Sequence, residues 1–234
     1  MMNQEKLRQV ILDIETTGMN QQGCVYLNHK VIEIGIIELV NRKYTGKYLH
    51  YYLNPGRTVD PEAYKIHGIS DSFLLPKPTF RDVCANVINF INNSEIIVHN
   101  AAFDISFLDY ELSFVDSLNK NISHLSIITD TLVIARQLFP GKKNSLDALC
   151  RRYKIFNVNR KFHSALLDAK ILMKIYLYLT SRQNEIEFQV HESVLNIKTI
   201  NKKNINTNTS LKITYASQSE CTKHSEYMQR IQKK

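Results

Sequence analysis

The sequence contains no apolar run approaching the length of a membrane span, and no apolar signal region near its start. The first residues, Met1-Met2-Asn3-Gln4-Glu5-Lys6, are polar and lead directly into a strand-like segment, so a cytoplasmic protein is expected. Cysteine is scarce. The four present (Cys24, Cys84, Cys150, Cys221) are scattered, with no Cys-x-x-Cys pair and no ligand-like spacing, which argues against disulfides and against zinc. The 234 residues suffice for one substantial core with a segment to spare, and an apolar fraction of 44% is ordinary for a soluble globular chain. A formal net charge of +8 favours polyanionic partners. Genome composition alone can also produce richness in Lys, Asn and Ile, so charge by itself assigns no nucleic acid.

The chain is organised around Val10-Ile11-Leu12-Asp13-Ile14-Glu15-Thr16-Thr17-Gly18. A β-branched apolar run cut off by Thr-Thr-Gly predicts a buried strand ending in a turn. Asp13 and Glu15 interrupt it, and residues two apart on a strand face the same side. Two like charges side by side on a buried strand are unfavourable unless one is protonated or a cation lies between them. Hard divalent cations prefer oxygen ligands, so Mg²⁺ or Mn²⁺ is the natural neutraliser. An edge strand with a solvated face would also tolerate the pair.

After a polar loop, Val31 to Leu39 has the density of a central strand, and Lys47 to Leu53 reads as a third strand after a turn at Thr45-Gly46. Short links predict an antiparallel meander. Asp60-Pro61-Glu62-Ala63 opens a short helix that His67-Gly68 stops. Thr79 to Asp82 resembles a capping box before an amphipathic helix carrying Phe80, Val83, Val87, Ile88, Phe90 and Ile91. A buried strand at Ile96-Ile97-Val98 runs into a helix through Phe103, Phe107, Leu108 and Leu112. Leu125 to Thr129 predicts a fifth strand, followed by helices through Leu132 to Phe139 and Ser145 to Tyr153. A last helix, Ala165 to about Thr180, is apolar almost all round and should pack deep against the sheet. Strands followed by βα alternation argue for an α/β sheet with helices on both faces. Beyond Thr180 the stretch Glu192 to Ser210 is rich in Asn, Lys and Thr and reads as a flexible linker, followed by a segment from Leu211 to Lys234 too small for a core of its own.

Two further carboxylates fall where chemistry is plausible. Asp104 lies just past a buried strand, where open α/β sheets place their sites, and Asp168 lies early in the last helix. Residues five apart on a helix diverge by about 140°. His163 can therefore share a site with Asp168 only from the loop before that helix, with Ser164 as N-cap. Taken singly, Asp104 also fits a helix N-cap, Asp168 a solvated helix position, and His163 a satisfied polar contact.

Asp13-x-Glu15 in a first strand, Asn100-Ala101-Ala102-Phe103-Asp104 after a middle strand, and His163-Ser164-Ala165-Leu166-Leu167-Asp168 near the end form an ordered triple. It resembles the three motifs of the DEDDh 3′–5′ exonucleases, with no acidic position missing. The likeness extends to the proofreading ε-subunit family of bacterial DNA polymerase III. It rests on Ile11 to Gly18, Asp60-Pro61-Glu62-Ala63 with Ile66-His67-Gly68-Ile69, Phe139-Pro140-Gly141, Asn144 to Cys150 and Ala165 to Ala169, and covers most of residues 8 to 180.

This resemblance implies a ribonuclease-H-like mixed five-stranded sheet over residues 1–180, a linker over 181–210 and a polymerase-docking tail over 211–234. Asp13, Glu15, Asp104 and Asp168 would hold two Mg²⁺ or Mn²⁺ ions about 4 Å apart, the spacing of a two-metal phosphodiester site. His163, a residue type that titrates near neutrality, would be the general base. Glu62 and His67 would contact the terminal nucleotide, the turn at Thr16-Thr17-Gly18 would cradle it, and Asn100 and Phe103 are weaker candidates. Nothing resembles a base-reading motif, which suits removal of any mismatched end. Gln183-Asn184-Glu185-Ile186-Glu187-Phe188 is similar to sliding-clamp-binding peptides, through Gln183, Ile186 and Phe188. The end of the chain resembles the ε tail that docks on the polymerase α subunit; a θ-like accessory subunit is left open. The rival readings are an RNA-trimming exonuclease of the same group (ribonuclease T or oligoribonuclease type) and a mainly structural subunit of the polymerase–clamp assembly.

Overall fold

The structure is a computed structural model that describes residues 7–115, 121–155, 162–181 and 216–232. Its contacts divide it into two units, residues 1–185 and 186–234. In the first unit β1 (Arg8–Thr16), β2 (Val31–Val40) and β3 (Lys43–Tyr52) form the expected antiparallel meander. β4 (Glu95–Val98) then pairs parallel to β1, and β5 (Ile127–Asp130) parallel to β4, giving the order β3-β2-β1-β4-β5. The mixed five-stranded α/β sheet is thus as the sequence implied.

Alternation along β1 sorts its side chains between two layers. Val10, Leu12 and Ile14 pack with α3 (Phe80–Ile91) and α4 (Ala101–Ser113) on one face. Ile11 joins Ile37, Leu39 and Ile97 under Ala169, Leu172 and Tyr176 of α8 (Ala165–Leu179) on the other. Asp13 and Glu15 have the parity of Ile11, so both face the α8 side. The all-round apolar character of α8 also has its cause here. Its far side packs Ile171, Ile175 and Leu179 against Ala135 of α6 (Thr131–Leu138) and Leu149 and Cys150 of α7 (Leu146–Arg152).

Local chemistry sets the ends of several helices. α1 (Pro61–His67) begins with proline at N1 and closes on Gly68 in the left-handed region, whose N–H donates to the Tyr64 carbonyl. α3 opens on a capping box, with the Asp82 carboxylate accepting from the backbone N–H and the hydroxyl of Thr79, both at 2.7 Å. α2 (Asp71–Leu74) is a single turn.

Two expectations are corrected. The β2–β3 turn is Asn41-Arg42, both at positive φ as a two-residue hairpin turn requires. Thr45-Gly46 instead lies inside β3, where the pairing with β2 is irregular. The fifth strand starts at Ile127, because Leu125 closes a short helix, α5 (Ile122–Leu125), anchored by the Ile122 N–H donating to the Asp109 carboxylate at 2.7 Å. No described helix is long and apolar enough to cross a membrane. In the second unit the described part is α9 (Gln218–Gln232), whose described side chains are all exposed. Gln183, Ile186 and Phe188, the linker beyond residue 181, and Leu211 to Tyr215 lie outside the described residues.

Candidate active site

The site forms where β1 passes under the N-terminus of α8. Gly35 on β2 sits opposite Asp13 in the register. A Cβ there would lie 2.3 Å from the Leu166 nitrogen and 2.4 Å from the Ala165 carbonyl carbon, so only glycine admits the helix backbone at this depth. That close approach brings Asp168, in the first turn of α8 and 2% exposed, down onto the Asp13–Glu15 face. His163 lies on the loop before α8, the placement its five-residue spacing from Asp168 requires. Its Nδ1 stands 3.4 Å from the Asp168 Oδ2. The loop is tied to α1: the His163 N–H donates to the Ile66 carbonyl at 3.0 Å, and the Phe162 ring lies against Gly68.

Glu15, His163 and Asp168 offer ligand atoms that all lie within 4.8 Å of one another. Asp13 is two residues back on the same strand face but outside that gathering, as is Asp104. The two carboxylates are hard, anionic donors at such range, which suits a divalent cation that would relieve the repulsion between Glu15 and Asp168, with the His163 imidazole beside them.

Asp104 enters from α4 and is 4% exposed. Its carboxyl is pushed up to about 8, by burial first and secondarily by Asp130, while its own and the Ile14 backbone N–H favour the charged form. Asp104 is not an N-cap: α4 opens at Asn100, and the Asp130 carboxylate, the N-cap of α6, also takes up the first N–H groups of α4. Asp130 accepts from the backbone N–H of Asn100 and Ala101 at the start of α4 (3.1 and 3.0 Å), and from Leu132 in α6 (2.8 Å).

A raised carboxyl pKa binds more protons folded than unfolded, so it withdraws stability as pH rises from 3.8 to about 8. In metal-free protein, Asp104→Asn is expected to melt above wild type by a margin that widens with pH across that window. Thermal melts at several pH values check this. A constant margin would mean the carboxyl is not held neutral.

Beside the cluster opens a cavity of about 620 Å³, lined by Glu15, Thr16 and Gly18 of the turn and by Glu62, His67 and Phe103. The turn is stitched to α1. The Thr16 hydroxyl donates to the Gly18 carbonyl at 3.0 Å, the Asp60 N–H donates to the Thr17 carbonyl at 2.8 Å, and Arg57 holds the Asp60 carboxylate at 2.9 Å. Gly18, at φ +145°, leaves no room for a side chain, since a Cβ would meet the Asp60 carboxylate. His67 is buried, and burial lowers its pKa, keeping the ring neutral. Its Nδ1 accepts from the Ile69 N–H at 3.0 Å, which places the proton on Nε2. Met19 and Ile66 complete an apolar wall that no sequence pattern marks as such. They lie in a loop and on a single-sided short helix, where no local pattern marks an apolar residue as pocket rather than surface. Asn100 is exposed and left-handed (φ 75°).

A mixed sheet whose strand-borne carboxylates face a helix-borne one provides an acidic, metal-ready site, and the family match assigns its class, that of the exonucleases. Residues 10–176 match the exonuclease family. Over 233 residues, covering 97% of this chain and 94% of the relative, the sequence is 45% identical to the DNA polymerase III subunit epsilon of Escherichia coli K12. It is 48% identical to that of Buchnera aphidicola subsp. Schizaphis graminum over 97% of this chain and 98% of the relative. Among solved structures, an exonuclease X complex with 5′-overhanging duplex DNA aligns with TM-score 0.53 and 27% identity, over 74% of this chain and 92% of that one. Exonuclease I bound to a dT13 oligonucleotide shares the fold, at TM-score 0.62 and 18% identity over 76% of this chain and 42% of that one. The chain belongs to the exonuclease family, among the DNA polymerase III epsilon subunits.

Proposed function

We propose that this chain is the proofreading exonuclease of a replicative polymerase, removing mismatched 3′-terminal nucleotides one at a time as 5′-mononucleotides. The gathering of Glu15, His163 and Asp168, joined to the cavity through Glu15, carries this reading. Asp13, Glu15, Asp104 and Asp168 would hold two Mg²⁺ or Mn²⁺ ions, whose bound state would supply Lewis-acid stabilisation of the attacking oxygen and of the charge on the phosphate and leaving group. His163, 42% exposed and next to Asp168, accepts the water's proton as the new P–O bond forms and the P–O3′ bond breaks. The cavity holds the terminal nucleotide, with the Thr16–Gly18 turn and Glu62 against the sugar and His67 fixed by its bond to Ile69. Such contacts grip sugar, phosphate and base face and leave base identity unread.

Residues 1–180 serve as the catalytic domain, 181–210 as a tether carrying the clamp-binding-like Gln183, Ile186 and Phe188, and 211–234 as the segment that docks on the polymerase α subunit. An exposed α9 suits a docking role, because a tethered docking segment keeps the nuclease near the primer end at high effective concentration. Deleting residues 205–234 is expected to leave hydrolysis of free single-stranded DNA unchanged and to abolish co-purification with α. Loss of both would mean that the tail belongs to the fold.

The central test is Mg²⁺-dependent degradation of 3′-labelled single-stranded DNA and RNA by wild type and by Asp13→Ala with Glu15→Ala. Mononucleotide release from DNA, lost in the double variant, is expected. Preference for short RNA would turn the reading to an RNA-trimming enzyme. Inactivity of folded protein on both would leave a structural subunit of the polymerase–clamp assembly.

A further inference from the structure

Glu33 is fully buried in β2, directly opposite Glu15 in the register and outside the Glu15–His163–Asp168 gathering. A carboxylate so placed is costly to keep, and it is retained here by two polar side chains that converge on one oxygen. The Ser164 hydroxyl donates to its Oε1 at 2.8 Å, and His50 Nε2 lies 2.8 Å from the same atom. Tyr52, opposite Glu33 on β3, brings its hydroxyl to the same group.

Ser164 is the informative partner. It occupies the N-cap position of α8, where a serine hydroxyl ordinarily accepts from the first turn, yet it makes no side-chain cap bond. The hydroxyl is turned instead to a side chain 131 residues away. Ser164 follows His163 directly, and its carbonyl accepts from the Asp168 N–H at 2.8 Å. The Glu33–Ser164 bond therefore fixes the hinge between the loop that carries His163 and the helix that carries Asp168.

We infer that Glu33 is a positioning residue of the hydrolysis, acting through Ser164 to hold His163 over the cluster. The inference rests on the reading of His163 as proton acceptor. Its test is a set of kcat and KM measurements on single-stranded DNA for Glu33→Ala, Glu33→Gln and Ser164→Ala, each alone and with His163→Ala.

Glu33→Ala and Ser164→Ala are expected to lower kcat by about 10–100-fold, as loss of an orienting partner does, with KM unchanged. Glu33→Gln keeps an acceptor oxygen for Ser164 and should recover most of the rate. In the His163→Ala background, Glu33→Ala should cost nothing further, because residues acting through one another are not additive. Full activity of Glu33→Ala, an additive loss in the His163→Ala background, or no rescue by Gln would each overturn the inference. If Glu33→Ala does not fold, Ser164→Ala, which removes only a hydroxyl, carries the same cycle. Full activity of His163→Ala would instead remove the underlying reading, whatever Glu33 does.

Discussion

Asp168→Ala is expected to lower kcat by about 10³-fold while leaving the fold intact. The carboxylate is 2% exposed and belongs to the cluster with Glu15 and His163. Divalent ions contribute several kcal/mol of transition-state charge stabilisation, and each 1.36 kcal/mol is tenfold in rate, so a site that no longer holds its ion correctly loses about three decades. The stability signature should run the opposite way. Without metal, Asp168 and Glu15 are like charges at short range, so the alanine variant should melt no lower than metal-free wild type, and Mn²⁺, expected to raise the melting temperature of the wild type, should raise that of the variant less. Single-turnover kinetics with paired melts check both. A variant that loses activity only because it unfolds would contradict the assignment, as would one that keeps its Mn²⁺-dependent stabilisation.

Gly35→Ala should be nearly as damaging, although the residue carries no chemistry. Alone among the seven glycines it has no positive φ, so the backbone would accept alanine; what forbids it is space. The added methyl would stand 2.3 Å from the Leu166 nitrogen and 2.5 Å from its Cα, atoms of a helix backbone that cannot rotate aside. The N-terminus of α8 must lift. Overpacking of this kind costs about 1–3 kcal/mol, and a displacement near 1 Å of the end carrying Asp168 and His163 should lower kcat by about 10²-fold. A melt and a rate at saturating metal test this together. A stable Gly35→Ala protein with wild-type kcat would show that the depth of α8 does not set the site.

Local signals gave the elements that hold the chemistry. Proline at N1 and glycine after His67 delimit α1, and the Thr79–Asp82 pair opens α3, because caps and left-handed turns are decided within a few residues. Thr-Gly reads more strongly as a turn than Asn-Arg, yet the β2–β3 turn is Asn41-Arg42, both drawn into positive φ so that the strands stay paired. Leu125 is as apolar as a strand residue, so local pattern extends the fifth strand back over it, whereas the Asp109 carboxylate, accepting from the Ile122 N–H, anchors a helical turn that Leu125 closes.

By itself the sequence determined the types of most elements, the shared face of Asp13 and Glu15, and the requirement that His163 precede the helix bearing Asp168. All of these follow from strand and helix periodicity, which acts over a few residues. The tertiary structure alone decided how deep α8 lies on Gly35, which apolar residues wall the cavity, and that Ser164 turns from its own helix to Glu33. Those outcomes depend on contacts between residues tens of positions apart for the cavity and 131 apart for Ser164 and Glu33, where shape and buried charge, not spacing, choose the partner.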